Sequence, residues 1–152
     1  MFTRIEASRI KEEFWTAFGR YMSPVPSAEG TRINWINYHT RIKDLYFRME
    51  AGKLSATIAI TLEHADPSIQ QLYYQQFVQF KTLLHDTLGE PWTWQLHEVI
   101  EGKIISRIYT EIKGVSIFNR DQWPEIISFL KPRIIALDSF WNDAKYSFEN
   151  LG

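Results

Sequence analysis

The sequence predicts an α+β domain: an N-terminal helix, then a ββα–ββα order in which two hairpins form a four-stranded antiparallel sheet with long amphipathic helices packed on it. Three observations carry that expectation. Two stretches alternate apolar and polar residues about a central turn, one at Ala51-Gly52 and one at Glu101-Gly102, which is the period of two that half-buried strands require. Each stretch is followed by apolar residues at helical spacing. The segments Glu50-Ala51-Gly52-Lys53-Leu54 and Ile100-Glu101-Gly102-Lys103-Ile104 also echo each other fifty positions apart. They read as two solutions of one geometric problem rather than as a duplication.

Residues 5–22 read as the first helix, with Ile10, Phe14, Phe18, Tyr21 and Met22 on one face. Ser23-Pro24-Val25-Pro26 ends it, because proline has no N–H and disfavours helical geometry in the residue before it. Residues 32–43 mix Trp35, Ile36 and Tyr38 with Asn34, Asn37 and His39, and are expected to form a short strand plus irregular chain. In the first hairpin Leu45, Phe47 and Met49 alternate with Tyr46, Arg48 and Glu50, and Leu54, Ala56, Ile58, Ile60 and Leu62 return on one face. Gly52 offers the turn a residue free to take positive φ.

Asp66-Pro67 opens the next helix as N-cap and first helical residue. A single stripe from Ile69 to Leu88 follows, closed by Gly89 and Pro91. The second hairpin sends Trp92, Trp94 and Leu96 up and Ile104, Ile108 and Ile112 back on the core side. Asn119-Arg120-Asp121 then starts a last helix with Pro124 in its first turn. Its apolar phase holds from Ile126 to Phe148, and Pro132 inside it predicts a kink or a break. The three parts span residues 5–22, 44–89 and 92–149 of one domain covering 1–152.

Composition narrows the function classes. The 152 residues carry 17 basic and 18 acidic side chains, for a net charge of −1. That excludes a strongly basic nucleic-acid coat or a polyacidic tail. The absence of cysteine excludes disulfides, thiolate metal sites and a cysteine nucleophile. No apolar run approaches the roughly 20 residues of a membrane span. Arg4, Glu6, Arg9, Lys11, Glu12 and Glu13 interrupt any signal-peptide core. A soluble, cytoplasmic domain is expected, with no cofactor and no membrane partner. Six Trp, seven Tyr and ten Phe make the chain 15% aromatic, which suits a well-filled core, an interface or a stacking platform.

The spaced aromatic and turn residues carry a resemblance. Gly89-Glu90-Pro91-Trp92-Thr93-Trp94, Ser106-Arg107-Ile108-Tyr109, Asp121-Gln122-Trp123-Pro124, Phe129-Leu130 and Phe140-Trp141 together resemble the bacterial family known as domain of unknown function 4268, and residues 46–88 fit the same pattern. The resemblance implies an α+β domain without an assigned activity. Longer members carry a nuclease-like domain upstream, for which 152 residues leave no room.

Three function classes remain. In the first, the chain is a non-catalytic binding or accessory module linked to nucleic-acid processing or defence systems. Arg32, Arg41, Lys43 and Arg48 are interleaved with Trp35, Tyr38 and Tyr46, and Arg107 and Tyr109 can join them from the second hairpin. Cations attract phosphate and rings stack on unpaired bases, so Trp35, Tyr38, Arg41, Tyr46, Arg48, Arg107 and Tyr109 are the candidate binding residues. The bland alternative is an outer sheet face covered by the first helix, with Arg and Tyr snorkelling. In the second class, a metal-dependent nuclease or its remnant uses Glu111 and Lys113, a Glu-x-Lys pair on one strand face. Glu63, His64 and Asp66 cluster at a strand–helix junction, where Asp66 is expected to cap. In the third class, Trp123, Trp141, Tyr146 and Phe148 on the C-terminal helix mediate a homodimer or protein contact. A small-molecule pocket where that helix crosses the sheet is a further expectation.

Overall fold

Thr3 starts the first helix: its hydroxyl accepts a hydrogen bond from the Glu6 amide at 3.1 Å, so that α1 covers Arg4–Met22. A computed structural model describes residues 2–151; Met1 and Gly152, the ends of the expected 1–152 domain, lie outside the described residues. The chain continues through β1 (Leu45–Ala51), β2 (Ser55–Leu62), α2 (Pro67–Gln79), α3 (Lys81–Leu88), β3 (Thr93–Ile100), β4 (Lys103–Lys113) and α4 (Trp123–Ala144). Short 3-10 turns flank α4 at Arg120–Gln122 and Lys145–Phe148. The strand order is β1-β2-β4-β3 with every neighbour antiparallel. The α+β class and the ββα–ββα order are therefore as expected, and the hairpins join through their return strands.

One face of the sheet carries Leu45, Phe47, Ala56, Ile58, Ile60, Leu62 and Ile108, all buried. Helix α4 crosses this face over β1 and β2, with α1 and α3 packed on its flanks and α2 over β3 and β4. The centre is aromatic. Phe77 of α2 lies 6.3 Å from Phe140, 6.2 Å from Trp141 and 4.4 Å from Phe148, and Phe47 meets Trp141 edge-on at 5.8 Å. Among the described residues, no helix is long and apolar enough to cross a membrane.

Local chemistry overrides several expectations. Residues 32–43 contain no strand. The Asn34 side chain accepts from the amides of Ile36 and Asn37, and Arg41 and Asp44 take φ of 71° and 64°. Both features bend the chain out of a ladder. Gly52 does not use positive φ, whereas Glu101 (50°) and Gly102 (79°) do, so the two echoing turns are built differently. The stripe from Ile69 to Leu88 is split at Phe80 (φ −100°, ψ 12°), whose ring packs against Phe140 and Phe148. Pro132 does not break α4. Its missing N–H leaves the Ser128 carbonyl without a helical donor, but Ser128 is exposed and water can serve it.

A register shift between Gln95 and Glu98 bulges β3, leaving Leu96 exposed rather than in the core, and Ile104 is likewise exposed. A polar knot takes over nearby. Buried Gln70 donates from Nε2 to the carbonyls of His64 (2.7 Å) and Ile104 (2.6 Å) and accepts from the Ser106 hydroxyl at 2.9 Å. The His97 amide donates to that hydroxyl at 3.0 Å. Replacing Gln70 with Leu strands these groups at about 1–3 kcal/mol each. Gln70→Leu is expected to lower the urea midpoint with the slope of the transition unchanged.

Candidate functional site

The segment between α1 and β1 has no regular structure of its own and is held by side chains. Trp35 Nε1 donates to the Val25 carbonyl at 3.0 Å, Trp141 Nε1 to the Thr40 carbonyl at 3.0 Å, and the Thr40 hydroxyl to the Leu45 carbonyl at 2.7 Å. The main anchor is Asp138 of α4, only 6% exposed. Its Oδ1 accepts from the Tyr38 hydroxyl at 2.5 Å and its Oδ2 from the Ala28 amide at 2.7 Å. Lys145 reaches back to Glu29 at 2.5 Å.

These ties leave a cleft of about 310 Å³ between the segment and the C-terminal end of α4, with Thr40, Asp138 and Trp141 buried in its lining and Arg32 and Arg41 exposed. Among the described residues, neither arginine has an ion-pair partner. Burial, with the hydrogen bond and charge of Asp138 adding to it, pushes the Tyr38 hydroxyl well above its ordinary value. The hydrogen bond to Glu29 raises Lys145.

The second surface is the sheet face turned away from the helices. Register places Tyr46, Thr61, Arg107 and Gln95 in one cross-strand row and Arg48, Ala59, Tyr109 and Thr93 in the next. Arg48 stacks on Tyr46 at 4.1 Å and Arg107 on Tyr109 at 3.8 Å. Each arginine also holds a carboxylate: Arg48 Nε to Glu63 at 2.6 Å, and Arg107 Nε to Glu98 at 2.9 Å. Burial just past the end of β2 pushes Glu63 up, but hydrogen bonds from Arg48 and Thr61 outweigh it and hold the carboxyl below its usual value. The same contact with Glu63 raises Arg48. Helix α1 does not cover this face. It packs on α4 through Phe14 and Trp123 at 5.4 Å, and Lys11 and Trp15 line a depression at the turn end of the first hairpin.

A notch of about 140 Å³ along the β1 edge adjoins both surfaces. It shares Tyr38 with the cleft, and it shares Arg48 and Glu50 with a groove of about 330 Å³ on the outward face. Of the residues singled out from sequence, Tyr38 and Arg41 lie in the cleft, while Tyr46, Arg48, Arg107 and Tyr109 lie on the outward face. Trp35 is 3% exposed and belongs to the core, so it offers no ring to a ligand.

Glu111 pairs across to Thr57, beyond the end of β3, and its charged neighbour is Lys113 at 3.7 Å. Among the described residues, no three His, Asp or Glu side chains group as a metal seat. Asp66 caps α2 through the Ser68 amide at 2.9 Å, and its own amide donates to His64 Nδ1 at 3.0 Å. Of the four residues expected to make an interface, Trp141 and Phe148 are buried and Trp123 donates to the Ile117 carbonyl at 2.6 Å, which leaves Tyr146, in the turn after α4, exposed. Asp138 and Lys145 were missed from sequence. The available signal was a carboxylate at 138 in helical phase with Ile134 and Trp141, on a face otherwise apolar.

Tyr38→Phe removes one of the two donors to Asp138 and is expected to cost about 1–3 kcal/mol in chemical unfolding. Because the folded-state value of Tyr38 lies above the unfolded one of about 10, its contribution is complete below that pH and lost as pH rises further. Tyr38→Phe should therefore flatten the alkaline limb of stability. Glu63 behaves oppositely. Its contribution is complete above the unfolded value of about 4.3 and is lost as pH falls through the lower folded value. Glu63→Gln should make acid unfolding measurably shallower.

No curated protein and no solved structure matches the chain. The family described as Domain of unknown function (DUF4268) matches residues 10–145. That span runs from within α1 to the C-terminal turn after α4 and takes in the cleft, the notch and the whole sheet, so the chain belongs to the DUF4268 family.

Proposed function

We propose that this chain is a non-catalytic accessory module of the bacterial cytoplasm that binds single-stranded nucleic acid, in the service of nucleic-acid processing or defence. The observation that carries this reading is the sharing of lining residues by three depressions. Tyr38 lines both cleft and notch, and Arg48 and Glu50 line both notch and sheet groove, so the three depressions adjoin, and this reading takes them as one track. An extended polymer fits a track better than a compact ligand does.

The chemistry along the track suits a strand with its bases unpaired. Arg32 and Arg41 are free to meet phosphate, and Arg48 uses only Nε on Glu63, leaving its terminal Nη groups to donate. Tyr46 is 36% exposed beside Arg48, and a ring backed by a guanidinium is a stacking platform. Carboxylates are interspersed: Glu63 and Glu98 hold the two sheet arginines, and Glu50 and Glu111 flank Thr57. They weaken phosphate attraction, so affinity is modest and rests on a few contacts.

Anisotropy of a labelled oligothymidylate at several salt concentrations tests the reading. On an oligothymidylate without a terminal phosphate, Arg32, Arg41 and Arg48 each meet one internal diester, which gives a log–log salt slope of about −2 for single strands. Arg41→Ala and Arg48→Ala should each weaken binding and reduce that slope by about 0.7. Binding that neither variant alters would refute the track.

A further inference from the structure

We infer that the cleft is a seat for one nucleotide bearing a phosphate monoester. The inference rests on the strand-binding reading for the path of the polymer, because the cleft closes one end of the track. Three features of the cleft point to this ligand.

The first is charge. Lys145 is neutralised by Glu29, whereas Arg32 and Arg41 have no ion-pair partner among the described residues. A terminal phosphate carries about −1.5 to −2 charges near neutral pH. Two guanidinium forks match it in sign and in planar donor geometry. An internal diester, with one charge, uses only half of that provision.

The second is the backbone at Arg41, where φ is 71°. A side chain in this left-handed region costs free energy that glycine avoids. The position is imposed from its neighbour Thr40, whose hydroxyl donates to the Leu45 carbonyl, accepts from the Ile42 amide at 3.2 Å, and whose carbonyl accepts from Trp141. The turn itself asks for no side chain. The left-handed position nonetheless carries a charged side chain where glycine would sit without strain, and that side chain lines the cleft.

The third is polarity across the cleft. Asp138 accepts one hydrogen bond at each oxygen and retains further acceptor capacity at both. An acceptor among the cationic rim residues fits a ligand with donors at one end and an anion at the other, as in a nucleotide with its sugar hydroxyls and phosphate. Inorganic phosphate has no sugar hydroxyls to offer Asp138 once its oxygens are held by the arginines, and a nucleoside would leave the arginines unmatched. The volume of about 310 Å³ is at the small end of ligand pockets, enough for one nucleotide.

Calorimetric titration of the full chain with adenosine monophosphate, adenosine and inorganic phosphate tests the assignment, alongside a tetrathymidylate carrying either a 5′-phosphate or a 5′-hydroxyl. The monophosphate is expected to bind about tenfold or more tighter than adenosine or inorganic phosphate, a difference calorimetry resolves. A 5′-phosphate that tightens the tetranucleotide by a similar factor identifies the source as a strand end; an advantage confined to the mononucleotide identifies free nucleotide. Arg41→Gly should reduce monophosphate binding about tenfold while the thermal midpoint holds or rises, because the strained φ is relieved. That combination separates a ligand contact from a structural one.

Adenosine binding as well as its monophosphate, or Arg41→Gly binding as wild type does, overturns the inference. Failure of the monophosphate with salt-sensitive oligothymidylate binding intact overturns the seat and leaves the track standing. Monophosphate binding with no gain from a longer strand supports the seat and removes the track.

Discussion

Pairing of β2 with β4 is the constraint on which the rest depends. Each hairpin alone is a two-stranded ribbon, which is marginal in water. Joined through their return strands, from Ser55 against Lys113 to Leu62 against Ser106, they make a sheet wide enough to bury one face under α4. The same ladder sets which residues share the other face. A shift of one position would turn Arg107 and Tyr109 inward and strand Ile108 in solvent. The apolar alternation of β2 and β4 thus secures the core and, as a by-product, aligns two arginine–tyrosine stacks from different hairpins.

Much of this architecture was legible in the residues. Periodicity identified both hairpins and the helices after them, because burial on one side of a strand or helix leaves a periodic trace. The departures have local causes. Residues 32–43 look strand-like in composition, but Asn34 turns the chain and Thr40 fastens it to Trp141 and Leu45. The division of α2 from α3 at Phe80 leaves no trace in the pattern, since its ring still points into the core. The β3 bulge was hidden for a related reason: Ser106 and Gln70 satisfy each other, and neither looks apolar.

The candidate site was only half legible. Outward residues of β1 and β4 could be read directly from alternation, so Tyr46, Arg48, Arg107 and Tyr109 were found. The cleft could not, because it is assembled by contacts about a hundred positions apart: Tyr38 to Asp138, Ala28 to Asp138 and Thr40 to Trp141. Trp35 illustrates the limit. In a polar segment it resembles an exposed ring, yet its Nε1 finds the Val25 carbonyl and its body joins the core. Aromatic residues with a single polar atom serve either role equally well, and only the fold decides.

The bulge in β3 has a consequence for how copies of this chain behave together. A straight outer strand is a template on which a second molecule can extend the sheet. Here His97 sits at φ 56° and its ring turns to the Pro67 carbonyl at 2.8 Å, so the rim is kinked and its spacing no longer matches an incoming ribbon. The irregularity that exposes Leu96 therefore also leaves that border without the straight, evenly spaced ladder that sheet extension needs.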